Sequence, residues 1–143
     1  MMIPHVVQTE ADKVFVNFLI VQAVTVQAGD VIVWDVGTAD GVRATQQVTA
    51  TLSLFLGIVD SDTAASSYGL AQCYGYRGVG ALITNDTSVS VVAGDILVGV
   101  TATDRLVRSA TSDGKTGFVY AGELYATNTT PVAALKKVFV RAL

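Results

Sequence analysis

A thiol or hydroxyl nucleophile needs a nearby base, and this chain offers almost none. Its one cysteine is Cys73, and its one histidine is His5, close to the N-terminus. A single cysteine excludes an internal disulfide framework and a thiolate cluster for zinc. A single histidine argues equally against a histidine metal site and a Ser-His-Asp triad. The carboxylates Asp30 and Asp95 each follow Ala-Gly and could be imagined as a catalytic pair. Between apolar runs, however, Ala-Gly-Asp reads as a turn: glycine supplies a positive φ, and aspartate bonds nearby backbone amides. The stretch "DGKTG" at 113–117 lacks the full spacing of a phosphate-cradling loop. No catalytic, metal-binding or cofactor-binding residue is therefore expected, and Gly29, Asp30, Gly94 and Asp95 are read as structural turns.

These turns belong to a repeat. "VQAGDVIV" at 26–33 returns as "VVAGDILV" at 91–98, and the copies align without gaps over 24–45 and 89–110. Each copy reads strand, Ala-Gly-Asp turn, strand, turn and then Val-Arg, which predicts one corner used twice. Around the repeats lie further strand signals: "KVFVNFLIV" at 13–21, "DVIVWDV" at 30–36 and the terminal "ALKKVFVRAL" at 134–143. The first begins in alternation and turns uniformly apolar, as for a strand buried on both faces. "QVTATLSLFLGIV" at 47–59 alternates most regularly, putting Val48, Ala50, Leu52, Leu54 and Leu56 on one face. "DSDTAASSYG" at 60–69 reads as an exposed loop. Gly75, Gly78 and Gly80 within 70–84 mark bulges or sharp bends in a strand. "GTADG" at 37–41, "NDTS" at 85–88 and "TSDGKTG" at 111–117 complete the turns. No stretch keeps a 3.6-residue period. The expectation is an all-β, single-domain sandwich or barrel of short, mostly antiparallel strands spanning 13–143, preceded by an N-terminal arm at 1–12.

The chain has 143 residues, of which 51% are hydrophobic and 15% charged. No apolar run approaches the roughly 20 residues a spanning helix needs, and the N-terminus lacks the basic start and compact apolar run of a secretory signal. A soluble protein made inside the cell is expected. Surplus apolar surface is best hidden in an assembly, since monomers rarely expose large apolar patches. Ile3, Val6 and Val7 of the arm, with Phe15 and Phe18, are the candidate assembly contacts. A net charge of −3 does not favour nucleic acid. Acidic groups crowd the first part (Glu10, Asp12, Asp30, Asp35, Asp40, Asp60) and basic groups the end (Arg105, Arg108, Lys115, Lys136, Lys137, Arg141). Solvated faces explain this, and head-to-tail subunit contact is the alternative.

Two resemblances follow from these residues. "GIVDSD" at 57–62 is similar to an aspartate-bearing motif of the dUTPases, but the uracil-binding hairpin and the arginine and glycine pattern of their tail have no counterpart. More of the chain, from about 24 to 143, resembles the head decoration or capsid cement proteins of tailed bacteriophages. The residues that carry this are "AGDVIVWD", "LGIVDSDTAA", "RGVGALI", "VSVVAGDILVGVTATDRLVR" and "GFVYAGELYATNTTPVAALKKVFVRAL". The resemblance implies a structural virion protein without catalytic residues. It would bind the major capsid protein between subunits on the outside of the head and resist internal DNA pressure. It would act as a homo-oligomer, expected to be a trimer, made in the host cytoplasm, with no membrane or nucleic-acid partner. A tail, neck or receptor-binding component and a dUTPase-like hydrolase are the alternatives.

Overall fold

The computed structural model describes residues 12–21, 23, 25–35, 37, 41–46, 54–84, 88–99, 105–109 and 117–142. Among them the chain is all β. In order come β1 (Lys13–Ile20), β2 (Val31–Trp34), β3 (Arg43–Gln46), β4 (Phe55–Val59), β5 (Tyr68–Thr84), β6 (Ile96–Gly99), β7 (Leu106–Arg108), β8 (Val119–Ala121) and β9 (Ala133–Arg141). The nine form one sheet in the order β1-β3-β2-β4-β5-β7-β6-β8-β9, with added pairings β1–β5 and β5–β9.

Those added pairings fold the sheet back on itself twice. β1 returns to β5 beside β4, closing a first ring of β1, β3, β2, β4 and the N-terminal half of β5. β9 returns to β5, closing a second ring of β5, β7, β6, β8 and β9. β5 is thus the last strand of one ring and the first of the next. Two pairings are parallel, β1–β3 and β5–β7, and they occupy the same place in their rings. All others are antiparallel. The all-β, mostly antiparallel sandwich or barrel that was expected is present, as one sheet that closes on itself twice.

Each ring has its own apolar filling. Phe18, Ile20, Val26, Ile32, Ala44, Leu56, Val59 and Ala71 fill the first. The second holds Ala81, Ile83, Val91, Leu97, Leu106, Val119, Ala121, Val138 and Val140. It also takes in Val31, Phe55 and Ile58, which sit on strands of the first ring but point the other way. Alternation along β2 and β4 makes this possible: Ile32 and Val59 face inward while Val31 and Ile58 face the neighbouring ring. Both faces of these strands are therefore covered, which is why β4 is buried at every position.

A strand seventeen residues long cannot serve two rings without bending. β5 bends where its pairing with β9 slips between Arg77 and Ala81. Gly80 stands there at φ +93, and a Cβ on it would come within 2.8 Å of the Lys136 amide nitrogen. Any larger residue would push β9 away.

Several expectations need adjusting. β1 is not buried on both faces: Phe18 and Ile20 are buried, while Leu19 between them is only half-buried. Leu54 is 41% exposed and lies before β4, so it does not share the buried face of Leu56. The region read as a loop to Gly69 already enters β5 at Tyr68, and Thr63 within it is buried and bridged to Val26. Most of the arm (1–11), the alternating stretch 47–53 and most of the turns at 37–41, 85–88 and 111–117 lie outside the described residues.

Candidate functional site

The paired turns have matching geometry. In the first copy the Asp30 carboxylate accepts the Gln27 amide at 2.7 Å, and the Asp30 amide donates to the Gln27 carbonyl at 3.1 Å. In the second the Asp95 carboxylate accepts the Val92 amide at 2.9 Å, and the Asp95 amide donates to the Val92 carbonyl at 3.0 Å. Gly29 and Gly94 carry φ of +96 and +92, a backbone that glycine adopts without strain. The turns also dock alike: the Gly29 amide donates to the Val59 carbonyl and the Gly94 amide to the Ala121 carbonyl. Both carboxylates are occupied in holding corners. Asp95 in addition accepts Arg108 Nε at 2.8 Å.

Beyond the corner the ungapped alignment fails. Ile32 faces Gln46, fourteen positions on, whereas Leu97 faces Arg108, only eleven positions on. The second hairpin is three residues shorter, so Arg43 and Arg108, identical in the alignment, occupy different places. Gln46 is the spatial counterpart of Arg108.

The "GIVDSD" aspartates are equally committed to the fold. Asp62 accepts the Ala28 amide at 2.9 Å. Asp60 accepts Arg77 Nη1 at 3.0 Å. Arg77 is the charge that sequence reasoning missed. It is 2% exposed at the bend of β5, and its guanidinium also donates to the carbonyls of Gly80 (2.7 Å) and Val59 (2.8 Å) and to the Gln72 side chain (3.5 Å). The available signal was an arginine set among glycines and apolar residues, where a solvated charge has little reason to be. Arg77 supplies a donor to the Gly80 carbonyl at the bend and a second donor to the Val59 carbonyl, which also accepts the Gly29 amide.

Cys73 is buried, and burial pushes its thiol above the ordinary value, with a smaller opposing effect from a backbone hydrogen bond. Its sulfur donates to the Val14 carbonyl at 3.3 Å. His5 lies outside the described residues. Among the described residues no three His, Cys, Asp or Glu side chains are grouped to hold a metal ion, and no helix is long and apolar enough to cross a membrane. Among the described residues an open cleft of about 250 Å³ lies where Asn17, Asp62, Tyr68 and Leu70 meet. Substrate pockets usually enclose roughly 300–1,000 Å³ and bury most of their ligand. This one is smaller and open.

Apolar side chains are also exposed among the described residues. Phe15, expected as an assembly contact, is 41% exposed. Phe18, expected beside it, is fully buried in the first ring, because the alternation of β1 turns it to the opposite face. It is therefore not an exposed contact of the folded chain. Ile3, Val6 and Val7 lie outside the described residues. Tyr74 and Phe139 meet edge to face at 5.7 Å between their rings, next to exposed Tyr76.

A closed double ring with turns at its corners and aromatics on its outer strands has a solved relative in shape. The chain superposes on the base domain of the head fiber gp8.5 of bacteriophage phi29, with a TM-score of 0.54 and 16% sequence identity. The match covers 90% of this chain and 96% of that one. The fold is similar to that of a phage head-fiber base. No family model matches the sequence, and no curated protein matches it either.

Proposed function

We propose that this chain is a structural virion protein of a phage head. In this reading it binds the outer surface of the assembled shell between major capsid subunits and stabilises it against DNA pressure. The observation that carries the reading is the likeness, over nearly the whole of both chains, to a protein described as a head-fiber base. Two further features support it. The carboxylates that could suggest hydrolysis are tied into turns and the Arg77 bend, which favours a non-enzymatic role. A closed β scaffold also loses little conformational freedom on docking, so many modest contacts on a repeating lattice can add up. The same reading has the chain acting as a homo-oligomer, a trimer on the family resemblance. Residues 1–12 serve as an arm whose Ile3, Val6 and Val7 pack on a neighbouring subunit or the shell.

The test is electron microscopy of heads assembled with and without the protein, combined with heat challenge. Density on the outer surface at subunit junctions, together with greater heat resistance of decorated heads, is the expected result. Heads that neither bind the protein nor gain resistance would overturn the reading. A second reading, the base of a projecting fiber, is favoured by the description of the phi29 neighbour itself. It predicts the same attachment with no gain in heat resistance.

A further inference from the structure

The two rings carry one feature in different states. On the outer side of the first ring, directly paired residues form a row across four strands: Val31 opposite Ile58, Ile58 opposite Gln72, Gln72 opposite Phe15. Side chains in such a row share a face. The second ring has the matching row, Ile96 opposite Tyr120, Tyr120 opposite Phe139, Phe139 opposite Tyr76. The match is set by topology, since β6, β8 and β9 stand in the second ring where β2, β4 and β5 stand in the first.

In the first ring Val31, Ile58 and Gln72 are at most 1% exposed, Phe15 at the end of the row is 41% exposed, and Val31 and Ile58 belong to the apolar cluster of the second ring. One ring of the chain is thus covered by the next. Among the described residues no such cover lies on the row of the second ring. Ile96 stays 36% exposed, Phe139 37% and Tyr76 47%, although this row is the more aromatic of the two.

We infer that this open row is the docking surface for a second copy of this chain, whose first ring covers it as the second ring covers Val31 and Ile58 within one chain. The internal ring-to-ring contact is the template, and the occupant follows from it: the surface that fits such a row is another ring of the same kind. Within the first ring the half-buried Val16 and Trp34, which pack on its apolar cluster, mark the end that would receive the row. The contact joins different surfaces of two copies, so it is head-to-tail and generates a closed cycle or a filament. Self-covering of this row builds on the homo-oligomer of the proposed reading and is independent of capsid binding.

Sedimentation of the purified full chain over a concentration series tests it. The wild type is expected to associate, and Tyr76→Thr with Phe139→Thr to weaken association about tenfold or more. Threonine keeps strand preference, so circular dichroism should match the wild type, with melting lowered only by loss of the Tyr74–Phe139 contact. A control, Leu124→Thr, removes an exposed side chain outside the row and should associate normally. A photo-crosslinking residue in place of Phe139 gives a second readout that does not depend on the double variant folding. Adducts to the first ring of another chain support the inference. A wild type that remains monomeric throughout, a double variant that associates normally, or adducts only between two rows would overturn it. Loss of head decoration without loss of self-association would assign the row to the shell and overturn it as well.

Discussion

At the scale of single residues, the side chains with chemical potential hold the backbone, and Arg77 does so most. Replacing it with methionine keeps much of the volume but takes the buried donor from the Gly80 carbonyl and leaves the Val59 carbonyl with the Gly29 amide alone. An unsatisfied buried polar group costs about 1–3 kcal/mol, so Arg77→Met should lose about 2–3 kcal/mol in chemical denaturation. Asp60→Asn should cost far less, about 1 kcal/mol or under, because its side chain is 42% exposed and Arg77 keeps its other acceptors. Equal losses for the two variants would show that the ion pair, not the backbone contacts, carries the site. Cys73 gives a test with a sign. Its folded thiol holds its proton above the ordinary thiol value of about 8.5, whereas the unfolded thiol releases it there. The unfolded state then binds fewer protons, so stability falls as pH rises past that value. The decline should be shallower in Cys73→Ala, as read from denaturation midpoints across the alkaline range. Of this scale the sequence made the two Ala-Gly-Asp corners legible, because a local turn needs only local residues. Arg77 was not legible, since its partners Asp60, Gln72 and Val59 come from elsewhere along the fold.

At the scale of elements, the bend of β5 decides whether there are two rings or one. Gly80 combines a positive φ with close approach to Lys136 and Leu135 of β9, so a side chain there is strained in its own backbone and against its neighbour. Gly80→Val should cost more than Gly78→Val, because Gly78 lies in the same bend with only the Tyr76 ring nearby, at 3.5 Å, and without a positive φ. Melting temperatures of the two variants check this, and a smaller loss for Gly80→Val would mean the bend tolerates a different path. The strand signals at β1 and β9 were legible in the sequence, although the apolar end of β1 suggested burial on both faces where the strand buries one. Period-two patterning misjudged the neighbourhood of β4, which is apolar throughout because ring one packs on one side and ring two on the other. The double-ring topology was hidden for a related reason: the repeat is readable through Asp95, but the following hairpin is shortened, and the strands matching β4 and β8 share no obvious sequence.

At the scale of the whole molecule, two rings invite the expectation of two folding units, and the packing argues for one. β5 contributes hydrogen bonds to both closures, so neither ring can open its seam without disturbing a strand of the other. The cluster of the second ring includes Val31, Phe55 and Ile58 from the first, and Phe55 stacks on Phe118 at 5.8 Å between ring centres. Isolating ring two would expose those three side chains, at about 1.5–3 kcal/mol for each fully buried aliphatic or aromatic residue. That penalty is a large share of the 5–15 kcal/mol that stabilises an ordinary domain, so a half-unfolded species should be scarcely populated. Trp34, the single tryptophan, packs against the cluster of the first ring and reports on that ring. Far-ultraviolet circular dichroism reports on all nine strands. In a urea titration the two signals should fall together with one midpoint and one slope. If Trp34 fluorescence changed at lower urea than the dichroism, ring one would be melting alone, and the shared strand and shared cluster would not be coupling the halves.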